Sequence, residues 1–526
     1  MIDDNLFDNR DFYYKLLILS TVFFLFIGQI SFSNKPDHDM FHEMALARES
    51  INFGYIPEHD LYSYIPTLQP LVHHEWGNGF LLYTVTVIAG LGSTGIISLK
   101  YLFSLAIFIM CIFLQKRHNV NYGVYSLLGV IAISMGWIGF TTIRAQLLTL
   151  FFLTLQIYLL EVDRSEKKWW IIPWLLVYLI WLNVHAGFVV GIAYYFFYTG
   201  DRFLVSFRKN KEIIKSFHSI KHLIIVLGVM IPLIVINPFG LDYFTYLWRA
   251  LFLDRSELIS EWRPIWRFPQ GVAIYYTVFY LLSVLILIYT VIHKKNFRSL
   301  ILIFILILAY QTIFQLRLIS IYALFWLLFV PFYLNETPLS QFLIRFTKNM
   351  RNLLIYFWLI IGFAGLFLSL QNQFWQLSPI DENNPYPMGV VEYLREHHFS
   401  GNLMTPFREG AYISWKLYPQ VKVSMDSRYE VAYDQKFVIE NVNFYKGTIG
   451  WERILCQYET DAILIPKSQP LYEKIQNNII PPSLSCPQTW IKVYSDDLYE
   501  VYMKENISKY YPMVKRQWTP TAMQFP

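Results

Sequence analysis

Long apolar runs separated by short polar connections fill the chain up to about residue 371. Each run is close to the roughly 17–25 residues that a membrane-spanning helix needs. The runs cover residues 79–95, 97–115, 123–141, 145–162, 170–200, 222–236, 272–292, 300–315, 318–334 and 352–370. Residues 15–33 predict a further, retained first span, because no basic segment or small-residue cleavage site of a signal peptide accompanies them. Together these segments predict about eleven to thirteen spans.

The run 170–200 is too long for one simple span. It contains Asn183, His185 and Gly187, which predict two short helices meeting at a polar break. Polar groups at such depth usually face the protein interior or a wet cavity. Asn183 and His185 are therefore candidates for substrate binding, and a helix–helix hydrogen bond is the structural alternative.

The pattern changes after residue 371. Short alternating runs separated by Pro, Gly and Asp predict strands over residues 421–425, 462–465, 490–494 and 499–503. Helical stretches are predicted between them, over 388–397 and 471–476. We therefore predict a membrane domain over residues 1–371, with an outer loop at 34–78, and a soluble α/β domain over 372–526.

Composition identifies the class of protein. Hydrophobic residues make up 55% of the chain and charged residues 15%, against about 25% charged residues in soluble domains. A soluble protein of this composition would expose large apolar patches. The composition excludes disordered, collagen-like and soluble multidomain chains, and predicts a polytopic α-helical membrane protein.

The positions of Lys and Arg predict the orientation in the membrane. Basic clusters at 202–221, 293–298 and 345–351 are expected on the cytoplasmic side. The segment 237–270 and everything after residue 370 then lie outside, and the loop 34–78 lies outside if the N-terminus is inside. Localisation in the cytoplasmic (inner) membrane, with the C-terminal domain extracytoplasmic, follows from this arrangement.

Polar residues in the outer loop are the first candidates for chemistry. Asp37 and Asp39, with one residue between them, could hold a divalent cation such as Mg²⁺ or Mn²⁺, or one could act as a general base. An N-cap of a helix is the structural alternative. Further polar residues of this loop are candidates for lining a substrate pocket: His42, Asp60, His74 and Glu75.

Arginines at the ends of apolar runs are candidates for binding an anionic lipid head group. They are Arg144, Arg263, Arg267 and Arg317. A snorkelling Arg or an interfacial aromatic belt is the alternative. No glycine-rich phosphate loop, Ser-His-Asp order or nucleic-acid-binding patch is visible, so no nucleic acid partner is expected. Cys456 and Cys486 both fall in the outer domain and could form a disulfide in an oxidising compartment.

Several short segments carry a family resemblance. The outer loop contains Gly54-Tyr55-Ile56-Pro57 followed by Asp60-Leu61-Tyr62-Ser63-Tyr64, and then His74-Glu75-Trp76. Later segments that fit the same pattern are Arg144-Ala145-Gln146, Asn183-Val184-His185-Ala186-Gly187, Asn237-Pro238-Phe239-Gly240, Glu261-Trp262-Arg263-Pro264, Gly410-Ala411-Tyr412 and Asp426-Ser427-Arg428-Tyr429-Glu430. In order and spacing the chain resembles the GT-C superfamily of polytopic glycosyltransferases, near the protein-mannosyltransferase and aminoarabinose-transferase types. Its departures are Ala145, Ala186 and Ala411, and a spacing from Asp39 to His42 that is shorter by one residue.

The resemblance implies a GT-C-like fold and a sugar donor linked to polyprenyl phosphate. It implies transfer to a glycan, lipid or protein acceptor at the outer membrane surface, as in cell-envelope polysaccharide biosynthesis. Asp39 or Asp37 would be the catalytic base or a metal ligand, and Asp39 is the better match.

Two other functions are consistent with the same sequence. A non-enzymatic polysaccharide or lipid transporter, or an assembly subunit, would also be polytopic. A transporter should show repeat symmetry and broken helices in both halves, whereas the sequence shows one break and no repeat. A polymerase or ligase of lipid-linked oligosaccharides would be chemically related and would use a larger donor.

Overall fold

The computed structural model describes residues 9–31, 34, 36–164, 167–253, 255–256, 259–267, 271–293, 299–335, 337–371, 375–377, 386–475, 479–484 and 486–517. Packing groups the chain into two compact units. Unit 1 comprises Met1–Asn34, Ile97–Asn237 and Leu251–Trp375, and unit 2 comprises Lys35–Ile96, Pro238–Ala250 and Gln376–Pro526. The division of the chain at residue 371 was drawn from composition rather than packing, and it stays a prediction.

Helices dominate the described residues. In chain order they are α1 (Asn9–Ser31), α2 (His38–Phe53), α3 (Trp76–Tyr83), α4 (Gly92–Arg117), α5 (Tyr122–Thr141), α6 (Ala145–Asp163), α7 (Ile171–Leu182), α8 (Phe188–Asn210), α9 (Ile213–Leu233), α10 (Asp242–Phe252), α11 (Val272–His293), α12 (Leu300–Phe314), α13 (Ile319–Leu334), α14 (Pro338–Asn349), α15 (Arg351–Ser369), α16 (Met388–Glu396), α17 (Glu409–Leu417), α18 (Tyr429–Ala432), α19 (Gln435–Lys446), α20 (Arg453–Gln457), α21 (Pro470–Lys474) and α22 (Glu505–Ser508). A π-helical turn covers Thr84–Ile88, and 3₁₀ turns cover Ser260–Trp262, Ile265–Arg267 and Leu316–Leu318.

In the part of the chain that the structure describes, all strands lie in the C-terminal part of unit 2. They are β1 (Gly401–Met404), β2 (Val421–Val423), β3 (Ala462–Pro466), β4 (Ile479–Ile480), β5 (Trp490–Ser495), β6 (Tyr499–Lys504) and β7 (Val514–Lys515). Their order across the sheet is β2-β1-β3-β6-β5-β4, and β7 pairs with β5. β1 runs parallel to β2 and β3, whereas β6 runs antiparallel to β3 and β5. The sheet is therefore mixed.

Seven helices in the described part of the chain are long and apolar enough to cross a membrane. They are Gly92–Arg117, Tyr122–Thr141, Ala145–Asp163, Ile213–Leu233, Ala273–His293, Leu316–Leu334 and Asn352–Ser369. Shorter apolar helices cover Tyr14–Ile27, Ile171–Leu182 and Leu300–Phe314. These helices indicate membrane integration. The mostly helical structure, with a small mixed sheet in the C-terminal region, is consistent with the predicted polytopic membrane protein. The higher predicted count of eleven to thirteen spans stays a prediction.

Small residues bring α5 and α13 together in the interior of unit 1. The Ser320 hydroxyl donates to the carbonyl of Gly136 at 3.2 Å, and the Gly139 amide donates to Ser320 Oγ at 3.0 Å. A Cβ atom at Gly139 would collide with Ser320. Close backbone approach over glycine and serine is typical of helix packing in membranes. The buried α13 is consequently held against α5 by hydrogen bonds as well as by shape.

Large apolar side chains, rather than small residues, are found on the surface of unit 1. Along α15, Leu353, Tyr356, Ile360, Phe363 and Phe367 are all exposed, and they recur at helical spacing on one face.

The predicted break within residues 170–200 is confirmed, since α7 ends at Leu182 and α8 begins at Phe188.

Residues of the predicted outer loop pack on the C-terminal sheet inside unit 2. The Tyr64 amide donates to the Val423 carbonyl at 3.1 Å, and the Val423 amide donates to the Tyr62 carbonyl at 2.9 Å. Ser63 therefore lies parallel to β2 as a one-residue extension of the sheet. Helix α2 packs on α3 and α17 in the same unit. The loop is thus part of a folded unit and contains a helix of 16 residues, which the sequence analysis did not predict.

Candidate functional site

The first predicted aspartate begins helix α2. Asp37 is the N-cap, and its Oδ1 accepts a hydrogen bond from the Asp39 amide at 3.3 Å. An N-cap carboxylate compensates for unpaired amides of the first turn and favours the positive end of the helix dipole. Asp37 is buried, while Asp39 in the first turn is half-buried. Capping therefore accounts for Asp37, and the catalytic and metal-binding roles of both residues stay predictions.

Glu43, which the sequence analysis did not select, lies one turn after Asp39 on the same face of α2. It is buried, and its Oε2 accepts a hydrogen bond from Asn78 Nδ2 at 2.5 Å. Its carboxyl group is also hydrogen-bonded to Glu75. Burial, together with the charges of Glu75 and Asp39, raises the pKa of Glu43 well above its ordinary value. Glu43 and Glu75 therefore form a close pair of carboxyl groups, in which the protonated form of Glu43 is favoured.

Gly79 explains how two helices can bring these carboxyl groups together. A Cβ atom at position 79 would fall on the backbone carbonyl of Glu43. Only glycine permits this approach, so α3 lies directly against the backbone of α2. Glu75 and Asn78, at the start of α3, thereby reach the Glu43 side chain.

His74 extends the pair toward helix α10. Its Nε2 lies 3.4 Å from Glu75 Oε1, and its Nδ1 lies 2.9 Å from the Tyr246 hydroxyl. The His74 and Tyr246 rings stack, with their centroids 4.9 Å apart. The side chains of His74 and Glu75 are 17% and 14% exposed, so a ligand or water can reach both. The structure thus brings the predicted His74 and Glu75 together with Glu43.

His42 faces the C-terminal part of unit 2. Its Nδ1 lies 3.0 Å from the Ser427 hydroxyl. Burial and the positive charge of Arg428 lower the pKa of His42 to about 3, although Glu75 opposes the shift. The same two causes lower the pKa of His73 to about 3. Both imidazoles are therefore neutral at physiological pH, and each can donate and accept hydrogen bonds.

Asp60 participates in a buried ion cluster. Arg428 donates to both oxygens of Asp60, at 2.7 and 3.1 Å, and to both oxygens of Asp426. The Arg428 guanidinium also lies 5.3 Å from the ring centroid of Tyr62. Asp426 and Arg428, two residues apart, thus form a buried ion pair. The Asp60 carboxylate is engaged by Arg428, and its direct contact with a substrate stays a prediction.

Gly410 provides a second close approach in unit 2. A Cβ atom there would collide with the backbone carbonyl of Met425. The segment before α17 and the segment that carries Asp426 and Arg428 therefore touch through their backbones. Two of the motifs noted in the sequence are adjacent for this reason.

The predicted residues of unit 1 make internal contacts. Arg144 NH1 donates to the two carboxylate oxygens of Glu261, at 2.5 and 2.7 Å. His185 Nδ1 lies 2.7 Å from the Thr149 hydroxyl and accepts from the Gly187 amide at 3.1 Å. Asn183 Nδ2 donates to the carbonyls of Leu179 and Ile236. The contacts of His185 and Asn183 fit the hydrogen bonding that was their structural alternative. The ion pair of Arg144 with Glu261 was not predicted, and none of these contacts tests a role in binding.

A cavity of about 410 Å³ opens in unit 1 beside the predicted arginines. Its walls include Arg255, Trp262, Trp266, Arg267, Phe314 and Gln315. Arg317 and Arg255 both stack on Trp262, at 5.6 and 4.5 Å from the ring centroid. Arg263 instead donates to the Ser256 carbonyl at 2.8 Å. Sequence reasoning missed Arg255, although it belongs to the same aromatic segment.

The described residues contain no group of three or more His, Cys, Asp or Glu placed to hold a metal ion. Comparison with known protein families and with curated proteins finds no match to this chain. The candidate site therefore stands on its own geometry.

Proposed function

We propose that the protein is a membrane glycosyltransferase that uses a polyprenyl-phosphate-linked sugar to glycosylate an acceptor at the outer face of the cytoplasmic membrane. The observation that carries this proposal is the Glu43–Glu75 carboxyl pair, in which Glu43 follows the half-buried Asp39 by one turn of α2. A buried carboxyl group whose pKa is raised by a neighbouring carboxyl group is suited to moving protons.

Asp39 is the proposed base. The hydroxyl oxygen of the acceptor attacks the anomeric carbon of the sugar, and the bond from that carbon to the phosphate oxygen breaks. The hydroxyl proton passes to the Asp39 carboxylate, and the polyprenyl phosphate leaves with the bonding electrons. The neutral His42 can orient the acceptor by a hydrogen bond without adding charge.

The leaving group requires cations next to an apolar surface. The cavity of unit 1 combines Arg255 and Arg267 with the aromatic walls of Trp262 and Trp266. Guanidinium groups suit a phosphate, and aromatic side chains suit an isoprenoid segment. Unit 1 by itself therefore offers a cavity that suits a polyprenyl phosphate, and Arg317, which also stacks on Trp262, adds a further positive charge.

The disulfide supports the proposed orientation. Cys456 and Cys486 are bonded in unit 2, and disulfides persist in oxidising compartments outside the cytoplasm. The predicted extracytoplasmic location of the C-terminal region agrees with this bond.

Substitution of Asp39 tests the proposed base. Purified full-length protein in lipid nanodiscs would be given synthetic polyprenyl-phosphate sugars, and the release of polyprenyl phosphate would be measured. Loss of a general base typically lowers the rate by about 10²–10⁴-fold, which is the effect expected for Asp39→Asn. Asp434→Asn, an exposed substitution in the same unit, is the matched control. Full activity in Asp39→Asn, Asp37→Asn and the double variant would remove this function.

The arginines of the cavity have a separate test. Arg255→Gln and Arg267→Gln should raise KM for the donor, because both remove charge from the proposed phosphate site. Arg345→Gln, an exposed substitution on α14, should leave KM unchanged. Equal KM values in all three variants would move the donor phosphate to another site.

A further inference from the structure

Helix α10 has two chemically distinct faces. On one face, and at the residue before the helix, five large apolar side chains are exposed: Leu241, Phe244, Trp248, Leu251 and Phe252. Leu241, Trp248 and Phe252 are 76%, 70% and 71% exposed. Successive members are three or four residues apart or adjacent, so that they form one continuous stripe. We call these five residues the α10 stripe.

The opposite face holds the helix firmly in unit 2. Tyr243, Tyr246 and Leu247 are buried. The Tyr246 hydroxyl reaches His74, and Arg249 donates to the Glu430 carbonyl at 2.9 Å. A movement of α10 would therefore be transmitted to His74 and to its neighbour Glu75.

Chain connectivity keeps α10 near a membrane-spanning helix. The candidate span α9 ends at Leu233, and eight residues separate it from Asp242. Eight extended residues reach at most about 29 Å. With 11 residues, α10 is too short to cross a bilayer, which takes about 20. Its composition, with a Trp and several large apolar residues on one face, is typical of a helix lying in the interface.

We propose that the α10 stripe is immersed in the head-group and acyl boundary of the outer leaflet. In this arrangement the bilayer covers the stripe, and α10 positions His74 and Glu75 at a fixed depth next to the membrane surface. The immersion of the stripe is inferred from α10 alone. The importance of placing His74 and Glu75 next to the membrane rests on the function proposed above.

Depth measurement by a spin label tests the inference. Trp248→Cys would be labelled in the full chain, reconstituted in nanodiscs of phosphatidylcholine and phosphatidylglycerol. Cys111 is buried, and Cys456 and Cys486 are bonded to each other, so labelling is directed to the new cysteine. The matched control is Ile449→Cys, at a fully exposed apolar residue elsewhere in unit 2.

The ratio of collisions with oxygen to collisions with a water-soluble nickel chelate should be at least fivefold higher at position 248 than at 449. Equal ratios would overturn the proposal, and so would spin–spin broadening at 248, which would indicate a second copy on the stripe. Leu241→Cys, outside the helix, gives the same test if Trp248→Cys does not fold. Immersion without glycosyl transfer would leave this inference standing and reject the proposed function. Glycosyl transfer by a protein whose label at position 248 is exposed to water would reject this inference and leave the proposed function standing.

Discussion

Arg428 and Asp60 are 368 residues apart in sequence and form a two-point ion pair, with N–O distances of 2.7 and 3.1 Å. Asp426 occupies the other donors of the same guanidinium. The pair fastens the N-terminal segment of unit 2 to its C-terminal segment, close in sequence to the Ser427 hydroxyl that contacts His42.

Removal of Arg428 should destabilise the protein strongly. Arg428→Met leaves two buried carboxylates without their cation, which typically costs about 3–5 kcal/mol. The thermal unfolding midpoint of the purified full chain measures the effect. Arg516→Met removes the more exposed contacts to Glu392 and Glu396, and should cost about 1 kcal/mol or less. Equal midpoints for the two variants would contradict this account of the ion cluster.

Replacement of Glu43 by Gln should stabilise the protein relative to the wild type, by an amount that grows as the pH rises. The raised pKa of Glu43 means that its contribution to stability is present below the ordinary value of 4.5 and is lost as the pH rises through the folded pKa. Gln keeps the hydrogen bonds to Asn78 and Glu75 without titrating. The stability advantage of Glu43→Gln over the wild type should therefore grow above about pH 4.5. A constant difference would argue against a neutral Glu43, and the exposed Glu473→Gln serves as the control.

His73 should make the protein sensitive to acid. Its pKa is lowered from 6.5 to about 3, so the unfolded chain binds a proton in this range that the folded chain does not. Stability is thus lost as the pH falls below 6.5, at about 1.4 kcal/mol per pH unit. Unfolding measured from pH 7 to 4 should give a slope that is smaller by this amount in His73→Gln.

Reduction of the disulfide should destabilise unit 2. Cys456 and Cys486 are separated by 30 residues, and closing a loop of this length contributes about 3–4 kcal/mol in the chain-entropy model. Reductant should lower the unfolding midpoint of the wild type. The double variant Cys456→Ser/Cys486→Ser should unfold at the lower midpoint with or without reductant. A response of the double variant to reductant would assign the effect elsewhere.

Local sequence patterns predicted the elements of the fold well. The strand runs at 421–425, 462–465, 490–494 and 499–503 correspond to β2, β3, β5 and β6. The polar break at residues 183–187 lies between α7 and α8. These features depend on residues within a few positions of one another, which is the range over which periodicity and turn residues carry information.

The candidate site could not be predicted in full, because it depends on contacts between residues that are far apart in the sequence. Glu43 looks like one more polar residue of a loop, and only its approach to Glu75 and Asn78 through Gly79 changes its protonation. Asp60 was predicted to line a pocket, and its ion pair with Arg428, 368 residues away, is not visible in the local sequence. Helix α10 lies in the segment 237–270, for which no helix was predicted, because its apolar stripe is too short for a membrane span.

Gly79 determines which substitutions would disturb the pairing of Glu43 with Glu75. The distance between α2 and α3 is set there by main-chain atoms in contact, not by interlocking side chains. Repacking of the surrounding apolar residues should therefore leave the raised pKa of Glu43 unchanged. A single added methyl group, as in Gly79→Ala, would push the two carboxyl groups apart and lower the pKa of Glu43 toward its ordinary value.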